Sequence, residues 1–314
     1  MEAILRPLKA AGDRSRLRLL RILARGTFSV AELTEILGIG QSTVSKHLRV
    51  LAEAGLVTVR RSGTWGFYGL RPSDGVEFDG RLLELLGDAF EDAGDDDAGA
   101  VERVLARHRR ARSEFFRDAA SRWDDVRDAA LGPPTHLDRL VELAGSGGTV
   151  VDLGTGTGVL VERLARTSRR VIGIDASAEM LEEATRRTEA GEIAADLRLG
   201  ALEHLPLSDG EADTMIANLV LHHVAEPPAV FREIRRGLAA GGRLVIAELE
   251  EHDDPSFWQG LGARWPGFRP SEMQDWLKAA GFRAIRAETL EAGNGDRGSQ
   301  RKPRVFLVEA RRND

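Results

Sequence analysis

Cysteine is absent from this sequence, and so is any long hydrophobic run. None of the 314 residues is a cysteine, which excludes disulfides, thiolate nucleophiles, zinc sites built on cysteine and thiol sensing of soft metals. No run of 18 apolar residues occurs, so no transmembrane helix is predicted. The N-terminus lacks the apolar core and cleavage site of a signal peptide. These absences predict a cytoplasmic protein with no membrane partner and no metal site.

Charge is distributed unevenly along the chain. The formal net charge is −6, from 44 Lys+Arg and 50 Asp+Glu. Residues 1–75 contain 12 basic and 6 acidic side chains, which leaves a balance of −12 for the remainder. A basic block on an acidic protein predicts a polyanionic partner for that block alone. With 314 residues, the chain is long enough for two domains that each bury a core.

Residues 1–75 are predicted to form three helices and a hairpin. Apolar side chains recur at helical spacing through 14–24, about 29–37 and about 41–54, and a glycine follows each segment. Alternating strands are predicted at 56–59 and 65–70, joined by a turn at 60–64 that holds two arginines. This order is that of a winged helix-turn-helix, whose third helix lies in the major groove of DNA.

The third predicted helix carries polar side chains opposite its buried stripe. Short hydroxyl and amide groups at its start suit base edges and phosphates, and its cations suit phosphates. The hairpin arginines can reach the DNA backbone or the minor groove. The predicted partner of this set of residues is double-stranded DNA. His47, considered by itself, is typical of an ordinary surface side chain. The predicted DNA-binding residues are Gln41, Ser42, Thr43, Ser45, Lys46, His47, Arg49, Arg60 and Arg61.

The segment AELTEILGIGQSTVSKHLRVLAEAGLVTVRRSGTWGFYGL, residues 31–70, resembles the ArsR family of dimeric bacterial repressors. The resemblance implies a homodimer that regulates transcription. Metal-sensing members carry paired cysteines in the second helix, where this chain has Ser29 and Ala31. Thiolate sensing of arsenite or zinc at this position is therefore excluded, and any regulatory signal must enter elsewhere.

The stretch VVDLGTGTGVL, residues 150–160, joins an apolar strand to a helix through a glycine-rich turn. A second apolar strand, 170–174, ends in Asp175. Such a unit, with an acid at the end of each strand, binds a nucleoside-containing cofactor at the carboxyl edge of a sheet. Asp152 precedes the turn, where its charge opposes a pyrophosphate and suits a ligand with an ammonium group. Asp175 is placed to accept hydrogen bonds from ribose hydroxyls.

DLGTGTG followed by GIDAS resembles motif I and the second-strand acid of class I S-adenosylmethionine (SAM) methyltransferases. The resemblance implies SAM or S-adenosylhomocysteine (SAH) as cofactor, although the family's usual adenine-binding acid is replaced by Ala201. The aromatic segment around Trp123 resembles the lid helix of small-molecule members, with plain core packing an equal alternative. The implied cofactor-binding residues are Asp152, Gly154, Thr155, Gly156, Gly158, Asp175, Ala176, Met180, Ala201, Leu202, Asn218 and Trp123.

The predicted fold class is α/β with an N-terminal winged-helix domain. Helices between the first five strand candidates predict a parallel sheet, and the last two strands fit the antiparallel hairpin of the class I methyltransferase sheet. The strand candidates are 149–153, 170–174, 196–199, 212–217, 242–248, 284–290 and 304–310. The predicted domains are 1–75, a helical connector with dimerisation and lid roles at 76–145, and 146–314. Connector helices are predicted at 80–90 and about 100–127.

Two functions are consistent with these patterns. The protein is either a transcription regulator whose second domain senses SAM or SAH, or an active methyltransferase on a small molecule. The domain order resembles SAH-responsive regulators of the methionine cycle, and the missing catalytic signature also favours the sensor. No catalytic residue is assigned. His222 and His223 lie in a segment that resembles menaquinone/ubiquinone-type methyltransferases, and each is consistent with a place beside a substrate pocket or with a structural role. Glu248 and His252 are the candidates for a general base.

Overall fold

The computed structural model describes residues 2–62, 65–71, 82, 97–132, 134–252, 262–290 and 303–313. The chain divides into two compact units, residues 1–111 and 112–314. This division lies inside the segment predicted as a connector. Within the described part, no helix is both long and apolar enough to span a bilayer.

The first unit combines helices with a small antiparallel sheet. Its strands pair in the order β1–β3–β2, with β2 and β3 forming the hairpin. Its opening helices are α1 (Glu2–Ala11), α2 (Arg14–Leu23), α3 (Val30–Leu37) and α4 (Gln41–Glu53). Its strands are β1 (Phe28–Ser29), β2 (Val57–Ser62) and β3 (Trp65–Leu70).

Local hydrogen bonds explain where these helices begin and end. Asp13 caps α2 by accepting a hydrogen bond from the N–H of Arg16. Ser29 and Glu32 form a reciprocal capping box at the start of α3, and Gly38 ends α3 in the left-handed conformation. The helices share one apolar core, which includes Leu19, Leu20, Leu33, Val44, Leu48 and Leu51.

Three features of the first 96 residues differ from the prediction or lie outside it. Helix α1 was not predicted. The predicted turn at 60–64 is wrong at its start, because β2 continues to Ser62 and pairs Arg60 with Phe67 and Arg61 with Gly66. The helix predicted at 80–90 lies outside the described residues, apart from Leu82.

The single long helix predicted at about 100–127 is interrupted. Helix α5 (Ala98–Ala119) gives way to a 3₁₀ turn, Ala120–Arg122, and then to α6 (Trp123–Leu131). The rings of Phe116 and Trp123 form an edge-to-face pair with centroids 5.4 Å apart. Residues seven apart in a straight helix are separated by about 10 Å along the axis. The interruption therefore lets these two rings pack against each other.

The second unit contains a seven-stranded sheet in the order β6–β5–β4–β7–β8–β10–β9. The first five of these strands are parallel, and β10 runs antiparallel between β8 and β9, so the predicted α/β fold with a terminal antiparallel hairpin is confirmed. The strands are β4 (Thr149–Leu153), β5 (Arg170–Asp175), β6 (Asp196–Leu199), β7 (Ala212–Asn218), β8 (Leu238–Leu249), β9 (Phe282–Thr289) and β10 (Val305–Arg312). The helices are α7 (His136–Ala144), α8 (Val159–Leu164), α9 (Ala178–Ala190), α10 (Pro227–Gly237) and α11 (Pro270–Ala279).

One face of the sheet is buried against α7 and α8. Burial of this apolar area stabilises the unit by about 25 cal/mol per Å² and holds the strand ends in fixed positions. The side chains of this core include Leu137, Leu140, Val150, Leu164, Val171, Ile216, Val245 and Leu307.

The strand order reverses between β4 and β7, because the chain moves outward to β6 and then returns to the other side of β4. Open α/β sheets bind ligands at the carboxyl ends of the strands beside such a reversal. The return passes through residues 200–211 without the predicted helix. Arg236 binds the carbonyls of Leu205 and Leu207, and Arg198 binds that of Pro206. These arginine contacts hold the loop in its non-helical course.

Candidate ligand site and nucleic-acid interface

The turn after β4 contains three glycines with positive φ angles. Gly154, Gly156 and Gly158 have φ values of 69°, 52° and 79°, a region that residues with a Cβ rarely adopt. A Cβ on Gly154 would lie 2.2 Å from Cγ2 of Val220, and one on Gly158 would lie 3.1 Å from Cβ of Ala184. The turn requires glycine both for its conformation and for its close contacts.

Asp152 is buried near the end of β4, beside this turn. Thr155 donates a hydrogen bond from Oγ1 to Oδ2 of Asp152 over 2.7 Å. Burial raises the pKa of Asp152 to about 7, opposed by the Thr155 hydrogen bond and supported by the negative charge of Asp175. No cationic side chain of the described residues contributes to this shift. An ammonium group on a ligand would supply the missing counter-charge.

Asp175 ends β5, the neighbour of β4 in the sheet. Its Oδ2 accepts a hydrogen bond from the N–H of Gly156 at 2.8 Å, and its Oδ1 accepts one from the N–H of Ser177 at 2.9 Å. Burial raises the pKa of Asp175, and the backbone hydrogen bonds from Ser177 and Gly156 oppose that shift. A carboxylate offers about four acceptor positions, so Asp175 retains capacity for ligand hydroxyls.

Other predicted ligand residues lie on both sides of Asp175. Ala176 is exposed, whereas Met180 is buried in the first turn of α9. The N–H of Gly200 donates to the carbonyl of Asp175 at 2.9 Å, which brings the following loop beside this strand end. Ala201 in that loop is half-buried, and Leu202 is buried.

Four aromatic rings cluster beside the glycine turn. The rings of Phe115, Phe116, Trp123 and His223 contact one another, with centroids 4.9–6.4 Å apart. Trp123 also faces the turn, because a Cβ on Gly156 would lie 3.8 Å from its Nε1. The structure therefore places the predicted Trp123 at the turn and brings His223 to the same cluster.

Asp124 forms a polar link that was not among the predicted site residues. Its Oδ1 accepts a hydrogen bond from Oγ1 of Thr157 at 2.7 Å, and its other oxygen contacts the guanidinium of Arg187. Nε of Arg187 also donates to the carbonyl of Thr157 at 2.9 Å. Asp124 thus connects α6 to the glycine turn and to α9. The only sequence signal was its position directly after Trp123.

The chain after β7 turns sharply across the glycine turn. Asn218 ends β7, and its Oδ1 lies 2.9 Å from Nε2 of His136, a residue that was not predicted. Leu219 follows with a φ of 51°, a left-handed conformation that is rare for leucine. Its N–H donates to the carbonyl of Ala247 at 2.9 Å. This bend places Val220 against Gly154.

His222 and Glu248 form a buried pair at the carboxyl ends of β7 and β8. Nδ1 of His222 lies 2.6 Å from Oε1 of Glu248, and the N–H of His222 donates to Oε2 at 3.0 Å. The N–H of Leu249 donates to Oε1 at 3.0 Å. The exposed fractions are 2% for His222 and 0% for Glu248. The candidate base Glu248 is therefore directly paired with His222, for which the sequence left a pocket role or a structural role open.

The remaining candidate histidines have different surroundings. Nδ1 of His223 lies 3.2 Å from the carbonyl of Gly262. Burial and the neighbouring His222 hold the pKa of His223 well below its ordinary value. His252 is half-buried, and its N–H donates to the carbonyl of Pro266 at 3.1 Å.

Helix α4 presents a polar face to solvent in the first unit. The buried stripe of this helix is Val44, Leu48 and Leu51, on the opposite side. In a helix-turn-helix, here α3 and α4, an exposed polar face on the second helix is the face that enters the major groove. The predicted residues on this face are Gln41, Ser42, Thr43, Lys46 and Arg49, which are exposed, and Ser45, which is half-buried.

The other predicted DNA-binding residues are placed differently. Nδ1 of His47 lies 4.0 Å from Oδ1 of Asp13, and the His47 side chain is 18% exposed. Because Asp13 caps α2, this contact ties α4 to the start of α2. Arg60 is half-buried in β2, and the side chain of Arg61 lies outside the described part of the structure.

Comparison with known proteins agrees with both parts of this geometry. Residues 151–246 match a family model described as a methyltransferase domain, and residues 11–60 match one described as a helix-turn-helix domain. The ubiquinone biosynthesis O-methyltransferase of Methylobacterium sp. (strain 4-46) is 32% identical over 184 residues, which cover 58% of this chain and 69% of that protein. The chain belongs to the methyltransferase family.

Two further comparisons extend the set of similar proteins. A 37.1 kDa protein in transposon TN4556 of Streptomyces fradiae is 34% identical over 193 residues, or 60% of this chain, and the chain spans 48% of that protein's length. The structure of Haemonchus contortus phosphoethanolamine N-methyltransferase 2 in complex with SAM is 15% identical, with a TM-score of 0.52. That match covers 63% of this chain and 60% of the other chain, and it shows a shared fold.

Proposed function

We propose that this methyltransferase-family protein is a DNA-binding transcription regulator, more narrowly an ArsR-type repressor, whose second unit binds SAM or SAH as effector. One combination carries the proposal. The chain exposes a polar face on the second helix of a helix-turn-helix, and it has a glycine turn flanked by the buried Asp152 and the half-buried Asp175. An effector acts only if it binds the DNA-competent and DNA-incompetent states with different affinities.

Three features of the strand ends support an adenosyl ligand at the glycine turn. No cationic side chain in the described part of the chain contributes to the pKa of the buried Asp152 carboxyl, so the ammonium group of SAM or SAH would be its counter-charge. Asp175 retains acceptor positions for two ribose hydroxyls. Ala201 and Leu202 adjoin Asp175, and with no acid at position 201 the adenine would be held by backbone groups and apolar contact. SAM, when bound, supplies an activated methyl group, whereas SAH has none.

We also propose a homodimer that uses helix α1. Ile4, Leu5 and Leu8 of α1 are 36–44% exposed and lie within little more than one helical turn. An exposed apolar face of this kind suits a partner surface, and dimeric repressors read two half-sites of DNA. Sedimentation of the full chain tests this proposal. A monomer at micromolar concentration, or a dimer that survives Leu8→Glu unchanged, would contradict it.

A mobility-shift titration tests the effector role. The protein's own promoter fragment is titrated without ligand, with SAM and with SAH, and one ligand is expected to change the DNA Kd at least fivefold. Asp175→Ala removes this response and leaves the ligand-free Kd within twofold. Asp275→Ala, an exposed aspartate of α11, serves as the matched control. An unchanged DNA Kd with both ligands rejects the proposal.

Methyl transfer to a small molecule is a second candidate function. The His222–Glu248 pair favours it, because a buried carboxylate holding an imidazole at a ligand-binding edge is a common arrangement for proton removal. The Methylobacterium relative bears the name of an O-methyltransferase. Regulation and catalysis are compatible in one chain, because DNA binding and methyl transfer use different units.

A further inference from the structure

We propose that the second unit also methylates aromatic hydroxyl compounds, with His222 as the base that accepts the hydroxyl proton and Glu248 as the residue that positions His222. This activity goes beyond the regulatory role, although it rests on the proposed binding of SAM at the glycine turn. Three observations carry it: the placement of His222, its hydrogen bonds with Glu248, and the aromatic rings beside it.

The fold places the segment that contains His222 beside the glycine turn. Residues 219–223 follow β7, the strand paired with β4, and the glycine turn follows β4. Val220 lies so close to Gly154 that no Cβ fits between them. Leu219 holds the left-handed backbone conformation that directs this segment across the turn. Backbone strain of this kind is retained where the surroundings require it, often at functional sites.

Glu248 determines which nitrogen of His222 carries a proton. The carboxylate accepts hydrogen bonds from the backbone N–H groups of His222 and Leu249, and its Oε1 lies 2.6 Å from the ring Nδ1 of His222. In the proposed step Glu248 is the acceptor of this pair, which places the proton of the imidazole on Nδ1. Nε2 then keeps a free lone pair, as in other bases oriented by a carboxylate. Within the described residues, Nε2 of His222 has no hydrogen-bond partner.

The rings beside His222 indicate a planar acceptor. The His223 ring lies 4.2 Å from the His222 ring and also packs against Phe116 and Trp123. The depressed pKa of His223 keeps its ring neutral, so the cluster offers aromatic surface without charge. Aromatic side chains prefer to stack or pack edge-to-face with other rings. A phenolic hydroxyl has a pKa near 10 and benefits from an imidazole base at neutral pH.

The proposed step is a substitution at the methyl carbon. The acceptor oxygen forms a bond to the methyl carbon while the bond from that carbon to sulfur breaks. The electron pair of the broken bond stays on sulfur, so the products are the aryl methyl ether and SAH. The hydroxyl proton passes to Nε2 of His222, and the resulting cation is stabilised by Glu248 until the proton leaves to water.

Methylation of phenol, catechol and 3,4-dihydroxybenzoate by the full chain with radiolabelled SAM tests the activity. We expect transfer to at least one of them. His222→Gln is expected to lower kcat about 100-fold while SAH Kd, measured by calorimetry, stays within threefold. His204→Gln, the same change at an exposed histidine, is the matched control. Absence of transfer to all three acceptors, or a His222→Gln kcat within threefold of the parent, overturns the proposal.

Two further readouts separate a base from a structural residue. Nitrogen NMR of the SAH-bound protein should show His222 protonated on Nδ1 only, and Glu248→Gln should mix the two tautomers. A parent protein protonated on Nε2 contradicts the assignment, as does loss of SAH binding in His222→Gln. The SAH response of DNA binding needs no base, so His222→Gln should retain it. Failure of the regulatory proposal would instead appear in the parent protein's mobility shift.

Discussion

Val220 packs directly against Gly154, leaving 2.2 Å between its Cγ2 and the position that a Cβ on the glycine would occupy. Gly154→Ala is therefore expected to lower the free energy of unfolding of the second unit by about 2–4 kcal/mol. The loss combines a left-handed φ of 69° with overpacking against Val220. Denaturant unfolding followed by circular dichroism measures it.

Gly147→Ala is the matched control for this effect. Gly147 has a similar φ of 75°, but no atom lies within 4 Å of the added Cβ. Its expected loss is only about 1 kcal/mol, from the backbone conformation alone. Equal losses in the two variants would show that the contact with Val220 contributes nothing.

The buried Asp152 is expected to make the ligand-free protein less stable as pH rises. Its pKa is raised to about 7 in the folded state, from 3.8. The folded state therefore binds more protons than the unfolded state between about pH 4 and pH 7, and the unfolding free energy falls across this window by at most about 4 kcal/mol. Asp152→Asn should remove this fall while abolishing SAH binding. The matched control is Asp138→Asn at an exposed position. If the unfolding free energy of Asp152→Asn fell with pH as much as that of the control, Asp152 would not be the group responsible.

Asp124 is expected to slow ligand release. Its carboxylate holds α6 to Thr157 of the glycine turn and to Arg187 of α9. Asp124→Ala should therefore raise the SAH dissociation rate, measured by stopped flow, about tenfold. Asp125→Ala removes the neighbouring, exposed carboxylate and should leave the rate unchanged. Equal SAH dissociation rates in Asp124→Ala and the parent would show that the Asp124–Arg187 contact is an ordinary surface ion pair that does not slow release.

Lys46 on helix α4 is expected to contact phosphate rather than bases. Its side chain is exposed on the polar face of α4. Lys46→Ala should weaken binding to specific and random DNA by similar factors and lower the slope of log K against log salt by about 1. Lys278→Ala in the other unit is the control. A loss confined to one DNA sequence would indicate a base contact instead.

Periodicity predicted most of the regular elements and missed those set by tertiary contacts. The bounds of β4 and β6 match the prediction because short apolar runs between turns identify buried strands. Helix α1 was missed because it contains Pro7 and leaves Ile4, Leu5 and Leu8 exposed. The interruption after Ala119 follows from ring packing, and apolar spacing alone does not reveal such a contact.

The sequence did not predict which residues pair across the site, because those contacts also depend on the tertiary structure. His222 was noted for a pocket or structural role and Glu248 as a candidate base, but they are 26 residues apart and meet only because β7 and β8 are parallel neighbours. Asp152 and Asp175 were predicted together because one strand–turn–helix–strand unit contains both. His136 of α7 contacts Asn218, and no local sequence motif predicts this contact.

Reciprocal coupling between SAH and DNA tests the central proposal most directly. SAH Kd is measured by calorimetry on the free protein and on the protein saturated with its own promoter DNA. The regulatory account predicts a change of at least fivefold, equal to the factor by which SAH changes the DNA Kd, because coupling free energies are reciprocal. An SAH Kd that is the same with and without DNA would contradict the account.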